Sequence, residues 1–336
     1  INQLRYKINE ADSLDVIWSP EQIEGHNREY LRYNPQGDKN AFYDLYDVMK
    51  NVLGKTNIDP ETKRDVSFES FPVARFHVPV DTVLVRKNGT ANVSDNILPE
   101  LQFEIPENKL KGGLVRSDLI ILNIIATNGW KRPIYFTSPY GELGFGQYLR
   151  KDGMSYRLIP ILSKFPEANW ITDQSFRQMG LGGTPIRDNN SDFMYNNMLT
   201  KFEFGGANKK GVYFDEENRR HLLNIRSLYG EAAGNLADQG RKEEAQKLLD
   251  KSEAGMHTEN MPYAMASRYN SHNQTAFIYL EGCYKAGKTE LAEKIRLELR
   301  KDLGQQKNYY DFIKNNRPEL FGGFERTEYP INELMI

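Results

Sequence analysis

The sequence of 336 residues predicts an α/β layer with a mixed sheet, followed by an all-α region of repeated helix pairs. Three observations predict it. A helical hairpin recurs near the C-terminus, where Gly240, Arg241, Lys242, Glu243, Glu244 and Ala245 are echoed by Gly287, Lys288, Thr289, Glu290, Leu291 and Ala292. A nearly all-apolar helix expected over residues 118–127 lies between short strand-like runs. Between these regimes, Gly205, Gly206 and Gly211 punctuate the best linker in the chain. The division expected from this is an α/β domain over residues 1–208, its first elements missing, and a helical-repeat domain over 209–336.

Residues 1–8 read as the middle of a helix, so the sequence is expected to be a piece of something longer. Residues 9–39 read as irregular. Phe42, Leu45, Val48, Met49 and Leu53 recur at helical spacing and predict an amphipathic helix over 40–53. Residues 71–80 read as a strand, and Pro72 and Pro79 suggest that it lies at a sheet edge. The alternation in residues 101–105 predicts a half-buried strand. Ser117 is the expected N-cap of the helix over 118–127, which Asn128 and Gly129 end. Strands are expected at 133–137 and 156–161, giving a βαβ-like order. A helix is expected over 190–202.

From Asp215 onward the pattern is helical, with Glu216 and Glu217 in a first turn where the helix dipole favours acids. In each hairpin copy a glycine supplies the left-handed residue that ends one helix. An alanine five residues on lets the next helix pack closely. Tyr229, Ala232, Ala233 and Leu236 face Ala245, Leu248 and Leu249. In the second copy Phe277, Leu280 and Tyr284 face Ala292, Ile295 and Leu299. This is a tetratricopeptide-like signature, stretched by an insertion at 257–273. Such pairs stack and present surfaces to partners. Residues from 309 onward look like a docked tail.

Composition bounds function. The chain is 39% hydrophobic and 12% aromatic, enough for a real core in roughly two domains. A formal net charge of −2 argues against nucleic acid as a partner. The one cysteine, Cys283, excludes an internal disulfide and reads as a small buried hydrophobe, which leaves a periplasmic or extracellular location open. No run of about 18 uncharged apolar residues predicts a membrane span.

No zinc-protease, Cys-pair, phosphate-loop or nucleophile-elbow motif is present. His26, His77, His221, His257 and His272 lack ligand spacing, so no metal and no cofactor is expected. Gly141, Gly144 and Gly146 read as an ordinary loop rather than a nucleotide cradle. The acid pairs Asp44 with Asp47 and Asp188 with Asp192 read as solvated groups rather than hydrolytic pairs, and no catalytic residue is assigned. Trp130 and Arg132, at a helix-to-strand corner, with Tyr135 and Tyr140 beyond, are the candidate binding residues for a sugar. The competing reading is an aromatic cover over the core with Arg132 reaching to solvent. Four N-glycosylation triplets begin at Asn88, Asn92, Asn189 and Asn273.

One ordered series carries a resemblance: residues 123–137, including Asn128, Gly129, Trp130, Lys131, Arg132, Pro133, Ile134, Tyr135 and Phe136; then residues 156–161; then 194–198; then 212–220, running into the helical repeat. It resembles the soluble C-terminal region of a large family of bacterial polytopic membrane proteins, long known only as a domain of unknown function. Their human relative is an endoplasmic-reticulum transmembrane O-mannosyltransferase with tetratricopeptide-like repeats. The resemblance implies a preceding multi-span membrane domain of the GT-C glycosyltransferase type, using a polyprenyl-phosphate sugar donor, with its catalytic acid outside this sequence. The chain would then be a non-catalytic domain on the periplasmic face of a bacterial inner membrane. Its implied partners are its own transmembrane domain and an acceptor protein or glycan. The rival expectations are a protein-binding scaffold unrelated to sugar transfer, and a free-standing carbohydrate-active enzyme.

Overall fold

The computed structural model describes residues 17, 30–53, 60–63, 70–138, 140–161 and 189–336. The helix expected over residues 1–8 lies outside them, as do His26 and Asp188. The chain forms two compact units. The first comprises residues 1–150, 155–165 and 184–188, and the second 151–154, 166–183 and 189–336. Mixed sheets build the first, and the C-terminal half is helical.

In the first unit, β1 (Tyr30–Tyr33) is followed by β2 (Tyr43–Asp44), α1 (Leu45–Asp47) and a π-helical stretch, Val48–Leu53. The helix expected over 40–53 therefore begins only at Leu45. Asp44 caps it, accepting from the Asp47 N–H at 2.9 Å, and the residues before it pair as a strand. Leu45, Val48 and Met49 are buried as their spacing required, whereas Phe42 is exposed. Next come β3 (Ser70–Phe71), β4 (Arg75–Pro79), α2 (Thr82–Lys87) and β5 (Glu100–Glu104). The strand expected over 71–80 is thus two strands in two sheets.

Nor is β4 an edge. It lies between β2, parallel to it, and β5, antiparallel. Its prolines are compatible with this because Pro72 falls between the strands and Pro79 is the last paired position, opposite Glu100. A missing N–H costs a ladder bond only where the ladder needs that donor. β5 alternates as its sequence predicts, with Leu101 and Phe103 buried.

After α3 (Glu107–Gly112) and β6 (Leu114–Val115) comes α4 (Arg116–Asn128). It starts before the expected cap Ser117. Asp118, in its first turn, reaches back to accept the Val115 N–H at 2.8 Å, so the acid takes the capping role. Leu119, Leu122 and Ile125 are buried, and Gly129 ends the helix with φ 50°, as expected.

The βαβ order is not realised. β6 joins the sheet β3-β1-β6, while β7 (Tyr135–Phe136) joins the sheet β7-β9-β8, where β8 is Leu149–Asp152 and β9 is Ser155–Leu158. β7 and β9 pair antiparallel, so α4 links two different sheets rather than crossing over one. The core of this unit centres on Phe71, Phe76, Phe103 and Phe145, with ring centroids 5.6–5.8 Å apart along that series.

In the second unit, α5 (Ser191–Thr200) precedes α6 (Glu216–Asp238), α7 (Lys242–Gly255), α8 (Ser271–Lys285), α9 (Thr289–Asn316) and α10 (Phe324–Met335). Residues 205–211, read above as a linker, form turns here and place Ala207 in the unit's core. Asp215 caps α6 by accepting from Asn218 N at 2.8 Å. The two hairpin glycines end their helices identically. Gly240 and Gly287 have φ 79° and 78°. Each copy closes with the same bond pair: Gly240 N to Ala237 O with Arg241 N to Leu236 O, and Gly287 N to Tyr284 O with Lys288 N to Cys283 O. These are Schellman-type caps. Ala245 and Ala292 are both fully buried.

One stripe differs from expectation. Tyr284 is 42% exposed and donates its hydroxyl to Glu293, while Ala276, Tyr279, Leu280 and Cys283 face the core. The cause is the close crossing of α6 and α8 at Gly230 and Gly282, which turns the 279–283 arc inward. Burial pushes the Cys283 thiol up to about 12, so it serves as a packed apolar group. The expected tail is helical as well: α9 runs through Tyr309, and α10 packs back on it around Leu303, Ile331 and Met335.

Candidate functional site

One buried polar cluster of the first unit gathers around Asp118. Its place in the first turn of α4 directs one oxygen back to Val115 N, and the same Oδ2 accepts from Lys109 Nζ at 2.9 Å. Oδ1 accepts from the Tyr140 hydroxyl at 2.6 Å. The carboxylate side chain is 1% exposed, so these partners replace its lost water. Lys109 also meets Glu142 at 3.2 Å. Burial alone would lower the Lys109 ammonium, but the Asp118 and Glu142 carboxylates beside it hold it above its ordinary value. Burial, then the bond to Asp118, pushes the Tyr140 phenol well up, so it is a fixed donor. Its ring stacks on Phe136 and Phe145 at 5.8 and 5.9 Å.

Lys109 lies on α3, and the neighbouring residues of that helix form one wall of a cleft. Glu107, Leu110, Lys111 and Gly112 face Arg32 and Tyr33 at the end of β1 across about 520 Å³. Lys111 and Glu107 pair at 2.7 Å. The cleft therefore combines a guanidinium, an ammonium–carboxylate pair, a phenol ring and an aliphatic floor, the mixture that small polar ligands use. The second unit has a smaller cleft of about 280 Å³, lined mainly by Met154, Phe193, Met194 and Phe202.

The four candidate residues do not share a cleft. Trp130 is 6% exposed; its indole N–H donates to Pro79 O at 2.7 Å and its carbonyl accepts from Asn88 Nδ2 at 2.6 Å. It holds φ 59° at the corner. Arg132 is exposed, and its carbonyl accepts from Asn128 Nδ2 at 2.8 Å. Tyr135 is 45% exposed, with its cross-strand partner Arg157 lying 5.2 Å from the ring centroid. Tyr140 alone joins the Asp118 cluster. Gly144 lies against the Glu104 carbonyl so closely that a Cβ would come within 1.8 Å of that oxygen, so the glycine turn serves packing. Sequence reasoning missed Arg32 and Tyr33 because residues 9–39 carry too short a run to read as a strand, and it missed Lys109 because its acid partner sits nine residues on.

Two further groupings belong to the second unit. Arg226, buried on α6, donates to Met261 O at 2.7 Å and Pro262 O at 2.9 Å, and its guanidinium lies 5.2 Å from the Tyr263 ring centroid. Glu253 accepts from Tyr279 at 2.8 Å and from the Tyr263 hydroxyl. These bonds pin residues 261–263 to the helices. Among the described residues no group of three or more His, Cys, Asp or Glu side chains is placed to hold a metal. No helix of the described residues is long and apolar enough to cross a membrane.

A family model described as TMEM260-associated domain 2 matches residues 1–175, which include most of the first unit and both the cleft and the Asp118 cluster. No curated protein and no solved structure matches the chain. The chain belongs to the TMEM260-associated domain 2 family.

Proposed function

Proceeding from that membership, we propose that the chain is the non-catalytic extracytoplasmic domain of a membrane-embedded glycosyltransferase-like protein of the GT-C type. In a bacterium it would lie on the periplasmic face of the inner membrane. There it binds acceptor protein or glycan, or braces the transmembrane part. The observation that carries this is the family match over residues 1–175, a relation to TMEM260. Two features of the chain support it. The first unit offers a polar cleft of about 520 Å³ between β1 and α3. The second unit repeats one helix-pair cap, at Gly240 and Gly287, as tetratricopeptide-like modules do.

The test is sugar transfer from a polyprenyl-phosphate donor to native periplasmic proteins. Membranes carrying the full-length protein are compared with a version truncated before Ile1 and with this chain alone. Activity confined to the full-length protein is expected. Activity in none of them would overturn the reading. The repeated helix pairs favour a second reading, a scaffold with no role in sugar transfer. It predicts a defined protein partner recovered from cells that lack transfer activity.

A further inference from the structure

We propose that the cleft between β1 and α3 is a binding site for an acidic saccharide, whose carboxylate or phosphate is held by Arg32. The guanidinium is exposed on the cleft wall and makes no ion pair among the described residues. Lys111, the other cation in the lining, is already matched to Glu107 at 2.7 Å. Among the described lining residues one positive charge is therefore left uncompensated, in the planar form that receives an oxyanion through two parallel N–H bonds.

The remaining lining fits the sugar rather than a bare ion. Tyr33 and Leu110 give an apolar surface for ring C–H groups, while the exposed Glu107–Lys111 pair offers acceptors and donors for hydroxyls. The volume of about 520 Å³ suits a ligand of one or two sugar rings and is too small for a folded partner. The α3 wall is held in place from behind, because Lys109 is tied to buried Asp118 and to Glu142. A wall fixed before binding loses little order on binding.

This inference rests on the proposed function only for the biological source of the ligand, an acidic acceptor glycan. The chemistry of the cleft stands without it. The two fail separately: binding by the purified chain without transfer by the full-length protein would overturn the function and leave the site.

The experiment is a titration of the isotope-labelled chain, followed through amide resonances. The probes are glucuronate, glucose 6-phosphate, glucose, inorganic phosphate and an acidic tetrapeptide. Saturable shifts at Tyr33 and Gly112 are expected with glucuronate or glucose 6-phosphate, and which of the two binds tighter identifies the acid. Glucose and inorganic phosphate should each bind at least tenfold more weakly. Arg32→Gln should weaken the acidic sugar tenfold or more with its melting curve unchanged. Arg32→Lys should recover part of the loss, and Lys242→Gln on α7 should change nothing. Equal affinity for glucose and its acids, an acidic peptide binding more tightly than either sugar, phosphate alone binding as tightly as glucose 6-phosphate, or full affinity in Arg32→Gln would each overturn the proposal.

Discussion

Replacing Gly282 by alanine tests how the second unit is held together. α6 and α8 cross with their backbones in contact, and the two facing positions are both glycine. A Cβ on Gly282 would sit 2.2 Å from the Gly230 carbonyl oxygen and 2.8 Å from its Cα. A Cβ on Gly230 would sit 2.5 Å from the Tyr279 Cα. Ordinary contact begins near 3.4 Å, so the helices must part by more than an ångström at the crossing. The obstructing atoms are backbone, so no side chain can turn aside. Overpacking a tight core costs about 1–3 kcal/mol and occasionally more. Helix propensity opposes this, since alanine gains about 1 kcal/mol over glycine in a helix interior. The clash wins, because parting the helices also loosens Tyr229, Ala233 and Tyr279, all at this crossing.

The expected net loss is about 2 kcal/mol, or roughly 4–8 °C in melting temperature for a unit of this size. Urea unfolding followed by circular dichroism at the helix band reads it. Gly304→Ala on α9 is the control, because nothing lies within 4 Å of its Cβ position and propensity acts alone there. That variant should gain about 0.5–1 kcal/mol. If Gly282→Ala were as stable as the wild type, or gained as Gly304→Ala does, the close crossing would not exist and the account of the inward 279–283 arc would fall with it.

Trp130→Ala should cost about 3–5 kcal/mol, the range for a large buried aromatic, because the indole is packed and its N–H is bonded to Pro79 O at 2.7 Å. A thermal melt with and without sugars decides the matter: a variant that keeps its stability and loses sugar binding would make Trp130 a ligand contact instead. His272 should make stability fall on acidification. Burial foremost holds its imidazole below the ordinary histidine value; the bond to the Pro262 carbonyl opposes it in part, and Arg226 and Arg219 lower it further against a raising effect of Asp302. The unfolded chain then binds the proton more readily than the folded one, so this contribution is fully present above the unfolded value of about 6.5 and is lost as pH falls from there through the lower folded-state value. Urea midpoints between pH 7.5 and 5.5 should drop for the wild type and drop less for His272→Gln; parallel slopes would refute the assignment.

The helix pairs were legible because their signals are local. A left-handed glycine and an alanine five residues later fix both the cap and the close approach, and both copies obey. The face of α8 was legible only in part: Leu280 is buried and Phe277 packs half-buried against the core, but Tyr284 is exposed, because Phe277, Leu280 and Tyr284 share the same spacing as Ala276, Tyr279 and Cys283. Periodicity alone cannot choose between them. Gly282 chooses, through a contact with Gly230, more than fifty residues away, that no window of sequence contains. The sheets failed for the same kind of reason. β4 reads as an edge from its prolines, yet its partners β2 and β5 lie about 30 residues away on either side and take the positions the prolines leave free. Tyr269 and Asn270, both in the left-handed region, carried no glycine to announce them; the Tyr269 N–H bond to buried Glu328 on α10 holds them there.

The candidate site divides along the same line. Trp130 stands out in the sequence as an aromatic at a helix-to-strand corner, and it is buried there. What it covers is the end of β4, where its indole N–H is bonded to Pro79 O. Tyr140 was singled out as an aromatic and matters through its hydroxyl, because Asp118 needs donors to remain buried. Asp118 in turn reads in sequence as an ordinary first-turn acid. Only the fold shows that it fixes Lys109, and so fixes the helix whose next residues wall the cleft opposite Arg32. An ion pair whose partners lie on separate elements thus places the wall, while the groups that would touch a ligand come from a four-residue strand and a six-residue helix. Both are too short for periodicity to reveal. Of the residues that sequence marks most strongly here, only Tyr140 joins the cluster behind the cleft, and the residues that would meet a ligand are the ones it marks least.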